Sequence, residues 1–185
     1  MIERSLVNLL CLILAVCALT SCQNTQRAPR LLFDASVAPD MQELAAKTWS
    51  DFLIMFDARS ACFGDVHLRV RRDLTKRALY DPVTATVTVR VPGTPAFLQG
   101  ALVHEWAHHV EFQCDGHPEL RKDFLAALSL QPNTPWHNGR AWEDTPSERY
   151  AEAVVELVLG EHPLPTKARV NRAAAQVVAE WVKGS

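Results

Sequence analysis

The stretch Leu98-Gln-Gly-Ala-Leu-Val-His104-Glu105-Trp-Ala-His108-His-Val-Glu-Phe-Gln-Cys114 decides how this chain is read. Within it His104, Glu105 and His108 spell His-Glu-x-x-His. On a helix, imidazoles four positions apart share one face, so both reach one metal ion while Glu105 stands beside the ion's open position. Zinc suits this set. With two His nitrogens and one further protein ligand it keeps a water whose pKa drops from about 15.7 to roughly 7, and Glu105 is placed to act as general base on it. Ala101, Leu102, Val103, Trp106, Ala107 and Val110 fill the remaining faces, which predicts a buried helix starting near Ala96. The competing reading is a solvated, charged helix face with incidental histidines.

The surroundings are those of one soluble domain: 185 residues, 48% hydrophobic, 22% charged, formal net charge -2. No basic run is interleaved with aromatic residues, which excludes a nucleic-acid surface. Met1 to Ser21 read as a targeting segment, with Arg4 ahead of an apolar run from Leu6 to Leu19 that is short for a membrane span. Its end, Leu19-Thr20-Ser21-Cys22, resembles the lipobox of bacterial lipoprotein precursors. That resemblance implies cleavage before Cys22, a lipid on Cys22, a tether over residues 22–30, and an exported domain over 31–185 anchored to the cell envelope. A plain secretory signal with a chance cysteine is the alternative. Export makes Cys62 and Cys114, the cysteines left over, a candidate disulfide between the end of the first helix and the end of the metal helix. Two buried free thiols would be the other outcome, and Cys114 as a metal ligand is disfavoured by its six-residue separation from His108.

Apolar spacing from Pro39 to about Arg59 predicts a packing helix. Val66 to Val70 and Val83 to Val91 alternate as strands, with Tyr80-Asp81-Pro82 as a turn between them. The Thr-rich second strand reads either as a free edge able to pair with an extended peptide or as an ordinary half-buried strand. Further helices are expected from Pro118 to about Leu130, from Ser147 to Leu159 and from about Thr166 to Lys183. The segment from Gln131 to Thr145, rich in Pro and Trp, is expected to be a cleft-lining loop.

The metal still needs a third ligand. Glu111 and Cys114 occupy the places where a longer motif would carry Gly and His, and no methionine follows, which excludes the metzincin pattern. Downstream, Pro146-Ser147-Glu148-Arg149-Tyr150-Ala151-Glu152 sets two carboxylates four apart on an otherwise apolar helix, where buried charge demands a cation. Together the two motifs resemble the gluzincin metallopeptidases, the thermolysin-like clan and its minimal single-domain relatives. The resemblance implies a zincin-like α+β fold, with a small sheet packed on the active-site helix and further helices C-terminal to it. It implies zinc held by His104, His108 and Glu148, with Glu152 bonded to the far side of a ligating His, His104 for preference. Since Glu152 stands where the thermolysin pattern has Asp, the converse assignment, Glu152 ligating and Glu148 outside, stays open. Glu156 is a weaker candidate on the same face.

A hydrolase of this type also uses a Tyr or His to steady the developing oxyanion. His137 and Tyr150 are the candidates, His117 a further one by residue type; His109 reads as structural, and His67 and His162 as surface residues. The expected activity is hydrolysis of a peptide or protein substrate near a membrane surface. The rival readings are a zinc-holding lipoprotein without catalysis, or a zinc amidase acting on cell-wall peptides.

Overall fold

The computed structural model describes residues 27–160 and 165–184. Cys22, His162 and the targeting segment lie outside them. The described residues form an α+β unit whose small mixed sheet has four strands: β1 (Leu31–Phe33), β2 (Val66–Arg71), β3 (Ala78–Asp81) and β4 (Thr86–Arg90). Five α-helices accompany it: α1 (Pro39–Met55), α2 (Pro95–Gln113), α3 (His117–Ala127), α4 (Pro146–Leu159) and α5 (Arg172–Val182). No helix among the described residues is long and apolar enough to cross a membrane.

Strand order is β1-β2-β4-β3, with the first two pairings parallel and β3–β4 antiparallel. Period-2 alternation makes the sheet one-sided. Val66, Leu68, Ala78, Tyr80, Val87 and Val89 are buried, while Thr86, Thr88 and Arg90 of β4 are only half-buried. This places the Thr-rich strand inside the sheet and corrects its reading as a free edge. The free edge beside the helices is β3, a four-residue strand that ends on Tyr80 and Asp81, where the sequence marks a turn; it is too short for its alternation to stand out. Antiparallel alternation leaves Ala78 and Tyr80 with outward-pointing backbone groups, because Arg77 takes the ladder bond from Arg90 N at 3.0 Å.

Helix α2 is central. Pro95 occupies its first turn, the Thr94 hydroxyl accepts from Phe97 N, and twelve of its nineteen residues are buried. That explains why its sequence shows no single apolar stripe. Trp106 is wedged among α1 aromatics, with its ring centroid 4.9 Å from Trp49 and 5.7 Å from Phe52. At the far end Cys114 is disulfide-bonded to Cys62, Cα to Cα 4.8 Å, which joins α2 to the turn after α1.

Helix α4 starts on Pro146 and stops at Gly160, whose φ of 77° is the left-handed cap that glycine adopts without strain. The last helix is shorter than its apolar spacing suggests. Asn171 caps it, its side chain accepting from Ala174 N at 2.8 Å, so residues 165–171 are not helical. At the N-terminal side Arg27 and Arg30 both pair with Asp65, so residues 27–30 of the expected tether lie against the domain.

Candidate metal centre

Helices α2 and α4 pack against each other and bring three metal-binding groups to one point. Ligating atoms of His104, His108 and Glu148 all lie within 4.8 Å of one another. Glu148 Oε2 stands 2.9 Å from His104 Nε2 and 3.5 Å from His108 Nε2. Both imidazoles therefore present the same ring nitrogen to a common centre. Their other nitrogens go to separate buried carboxylates. His104 Nδ1 donates to Glu152 Oε1 and His108 Nδ1 to Glu111 Oε2, each at 2.9 Å. Because a carboxylate only accepts, each contact fixes a proton on Nδ1 and leaves Nε2 for the metal.

Glu152 Oε1 accepts from His104 Nδ1 and lies 3.5 Å from Arg77. Of the two arrangements left open for the carboxylate pair, Glu148 lies between the imidazoles and Glu152 behind one of them. Glu156 is exposed on another surface, and Cys114 is taken by the disulfide.

The electrostatics favour a cation. Burial pushes the His108 imidazole down, but hydrogen bonds to Glu111 and Glu148 outweigh it and hold its pKa up at about 10. His104 is raised in the same way, against burial, by Glu148 and Glu152. Burial raises the Glu148 carboxyl, yet the two imidazoles hold it well below the usual carboxylate range. Glu111, Glu148 and Glu152 thus lie against the two imidazoles, which without an ion answer them by holding protons that a divalent cation can replace. Two imidazole nitrogens and one carboxylate oxygen, with one side open, fit zinc.

The open side is a cleft of about 490 Å³ lined by His104, Glu105, His108 and Glu148 and bordered by β3. Of six exposed large apolar side chains among the described residues, Leu79, Phe112 and Trp142 border it, giving the cleft a greasy rim. Trp142 stacks over His104 at 6.0 Å. Glu105, 7% exposed, faces the cleft and has no hydrogen bond or ion pair among the described residues.

The other candidates separate clearly. His137 borders the cleft, its ring stacked on Phe112 at 5.2 Å. Tyr150 and His117 do not. Both are fully buried in one aromatic cluster, ring centroids 4.6 Å apart, which removes them as oxyanion donors. Their place on α4 and α3 turns them toward Trp136, Phe124 and Trp181 instead. His109 is structural: Nε2 donates to Gly64 O at 3.0 Å, and Nδ1 accepts from the Tyr80 hydroxyl at 2.9 Å. His67 is exposed. Sequence reasoning missed Arg77, which needed the unrecognised strand, and Glu111, which the helical spacing three residues past His108 does signal.

Comparison with protein-family models, with curated proteins and with solved structures finds no match to this chain.

Proposed function

We propose that this chain is a zinc-dependent peptidase of the gluzincin kind, with a zincin-like fold, held at the bacterial cell envelope by a lipid on Cys22. The observation that carries the reading is the convergence of His104, His108 and Glu148, with the far nitrogen of each imidazole on a buried carboxylate. Those three residues would hold the ion. Zinc, when bound, supplies a Lewis acid that makes a water nucleophilic near neutral pH.

The chain's own groups do the rest. Glu105 takes the proton of the attacking water and delivers it to the leaving amine, contributing about 10² to 10⁴ in rate. His137 sits at the cleft edge to donate a hydrogen bond to the carbonyl oxygen as charge develops there. A peptide substrate lies extended along β3, paired with the outward backbone groups of Ala78 and Tyr80, and its apolar side chains rest on Leu79, Phe112 and Trp142.

The test is elemental analysis of the domain from residue 27 onward, beside cleavage of quenched-fluorescence peptides rich in Leu and Phe. One zinc per chain, cleavage, and loss of cleavage but not zinc in Glu105→Gln are expected. A parent domain that retains no zinc, or a Glu105→Gln variant as active as the parent, refutes the reading.

A further inference from the structure

Glu111 is a buried acid whose contacts go beyond the His108 bond already described. Its side chain is 0% exposed. Burying a carboxylate is costly unless donors surround it, and an apolar residue would fill the same space more cheaply. The donors here come from three parts of the chain. His108 Nδ1, on the same helix, meets Oε2 at 2.9 Å. Trp136 Nε1 donates to Oε1 at 2.6 Å, and His137 Nδ1 lies 3.4 Å from that oxygen. Arg121 of α3 stands 3.8 Å from Oε1, with its guanidinium 5.2 Å from the Trp136 ring.

The two oxygens therefore face different structures: Oε2 serves a metal-facing imidazole, and Oε1 serves the loop that carries His137 to the cleft. Trp136 reinforces the second link, since its carbonyl accepts from Ser147 N at 3.0 Å, one residue before Glu148. One rigid carboxylate thus spans the ion site and the cleft wall.

We propose that Glu111 is a positioning residue with two tasks, holding the His108 ring with Nε2 toward the ion and bolting the 131–145 loop to the metal helix. The inference rests on the peptidase reading for its first task and is independent of it for the second. An acid on the outer nitrogen of a ligating His typically contributes 10- to 100-fold in metal affinity. The indole bond to an ionised, buried acceptor is of the stronger, charge-assisted kind.

Glu111→Gln keeps the shape and removes the charge; Trp136→Phe keeps the His108 contact and removes only the loop bond. Zinc affinity is measured by chelator competition, the cobalt-loaded visible spectrum reports ligand geometry, and hydrogen exchange reads the loop in metal-free protein. Expected are a 10- to 100-fold weaker zinc site and an altered cobalt spectrum in Glu111→Gln alone. Loop amides should exchange on the order of tenfold faster in both variants. Circular dichroism checks that each variant is folded. If Glu111→Gln binds zinc like the parent, the first task is overturned; if its loop exchanges like the parent's, the second is. A parent that binds no zinc sinks the peptidase reading and the first task together, while the exchange data still decide the second.

Discussion

Removing the Cys62–Cys114 bond tests how the metal helix is held. The bridged residues are 52 apart in sequence, and closing a loop of that size removes about 14 cal/mol/K from the unfolded chain, roughly 4 kcal/mol at 25 °C. Cys62 is exposed and Cys114 is buried in the core, so the packing lost on replacing both with alanine is confined to Cys114 and adds to the loss of the crosslink. The double variant Cys62→Ala, Cys114→Ala should therefore unfold about 10 °C below the oxidised parent, at 2–4 °C per kcal/mol for a domain of this size. The assay is thermal unfolding by circular dichroism, with the parent run oxidised and after reduction. The reduced parent should melt slightly above the double variant, which also lacks the Cys114 packing. His104 and His108 lie within α2, where helical hydrogen bonds and Trp106 hold the backbone, so zinc affinity at 25 °C should stay as in the parent. A double variant as stable as the oxidised parent would refute the chain-entropy argument. One that melts low and also loses zinc would show that the bond shapes the site as well.

Other outcomes follow from individual residues. His117 is buried and its pKa pushed down to about 3, so between pH 6.5 and about 3 the unfolded chain holds a proton that the folded chain refuses. Stability should fall with pH across that window by about 1.4 kcal/mol per unit, and His117→Phe should lose on the order of 2 kcal/mol less than the parent between pH 6.5 and 5 in urea titrations. Equal pH slopes would count against a neutral His117. A Cβ at Gly139 would lie 2.5 Å from Thr145 Oγ1, 2.6 Å from Thr145 N and 2.8 Å from Ala141 O. Gly139→Ala should accordingly displace Trp142, raise KM for apolar peptides several-fold and leave zinc content unchanged, measured by steady-state cleavage and elemental analysis. Finally, Glu148→Ala should lose most of its zinc, while Glu152→Ala keeps part of it at 10- to 100-fold lower affinity; the reverse order would exchange the two roles.

The metal helix was legible because its chemistry and its period coincide: a five-residue motif lies inside a run whose other positions are apolar. Glu148 and Glu152 were legible for the same reason, since two acids on an apolar helix are conspicuous. What the sequence hid depends on contacts between distant segments. Strand β3 has four residues and owes its existence to pairing with β4, so local pattern gave a turn. The edge of the sheet moved with it. Tyr150 and His137 are both available as hydrogen-bond donors by residue type; the apolar helix around Tyr150 favours a packing role for it and leaves His137 the better choice, and the packing of α4 against α3 buries Tyr150 while His137 borders the cleft. Asn171 illustrates a lesser miss, where a capping side chain overrides several residues of apolar spacing.

The Arg27 and Arg30 contacts with Asp65 also define a path for mechanical load. Tension on the chain ahead of Arg27 enters the domain at Asp65. Its neighbour Gly64 is bonded to His109, and Cys62, three residues back, is bonded covalently to the end of the same helix. A pull from the N-terminal side is therefore delivered to the back of the metal helix, away from the cleft. The chain itself runs on from Arg30 into β1, whose pairing with β2 passes the remainder of such a pull into the sheet.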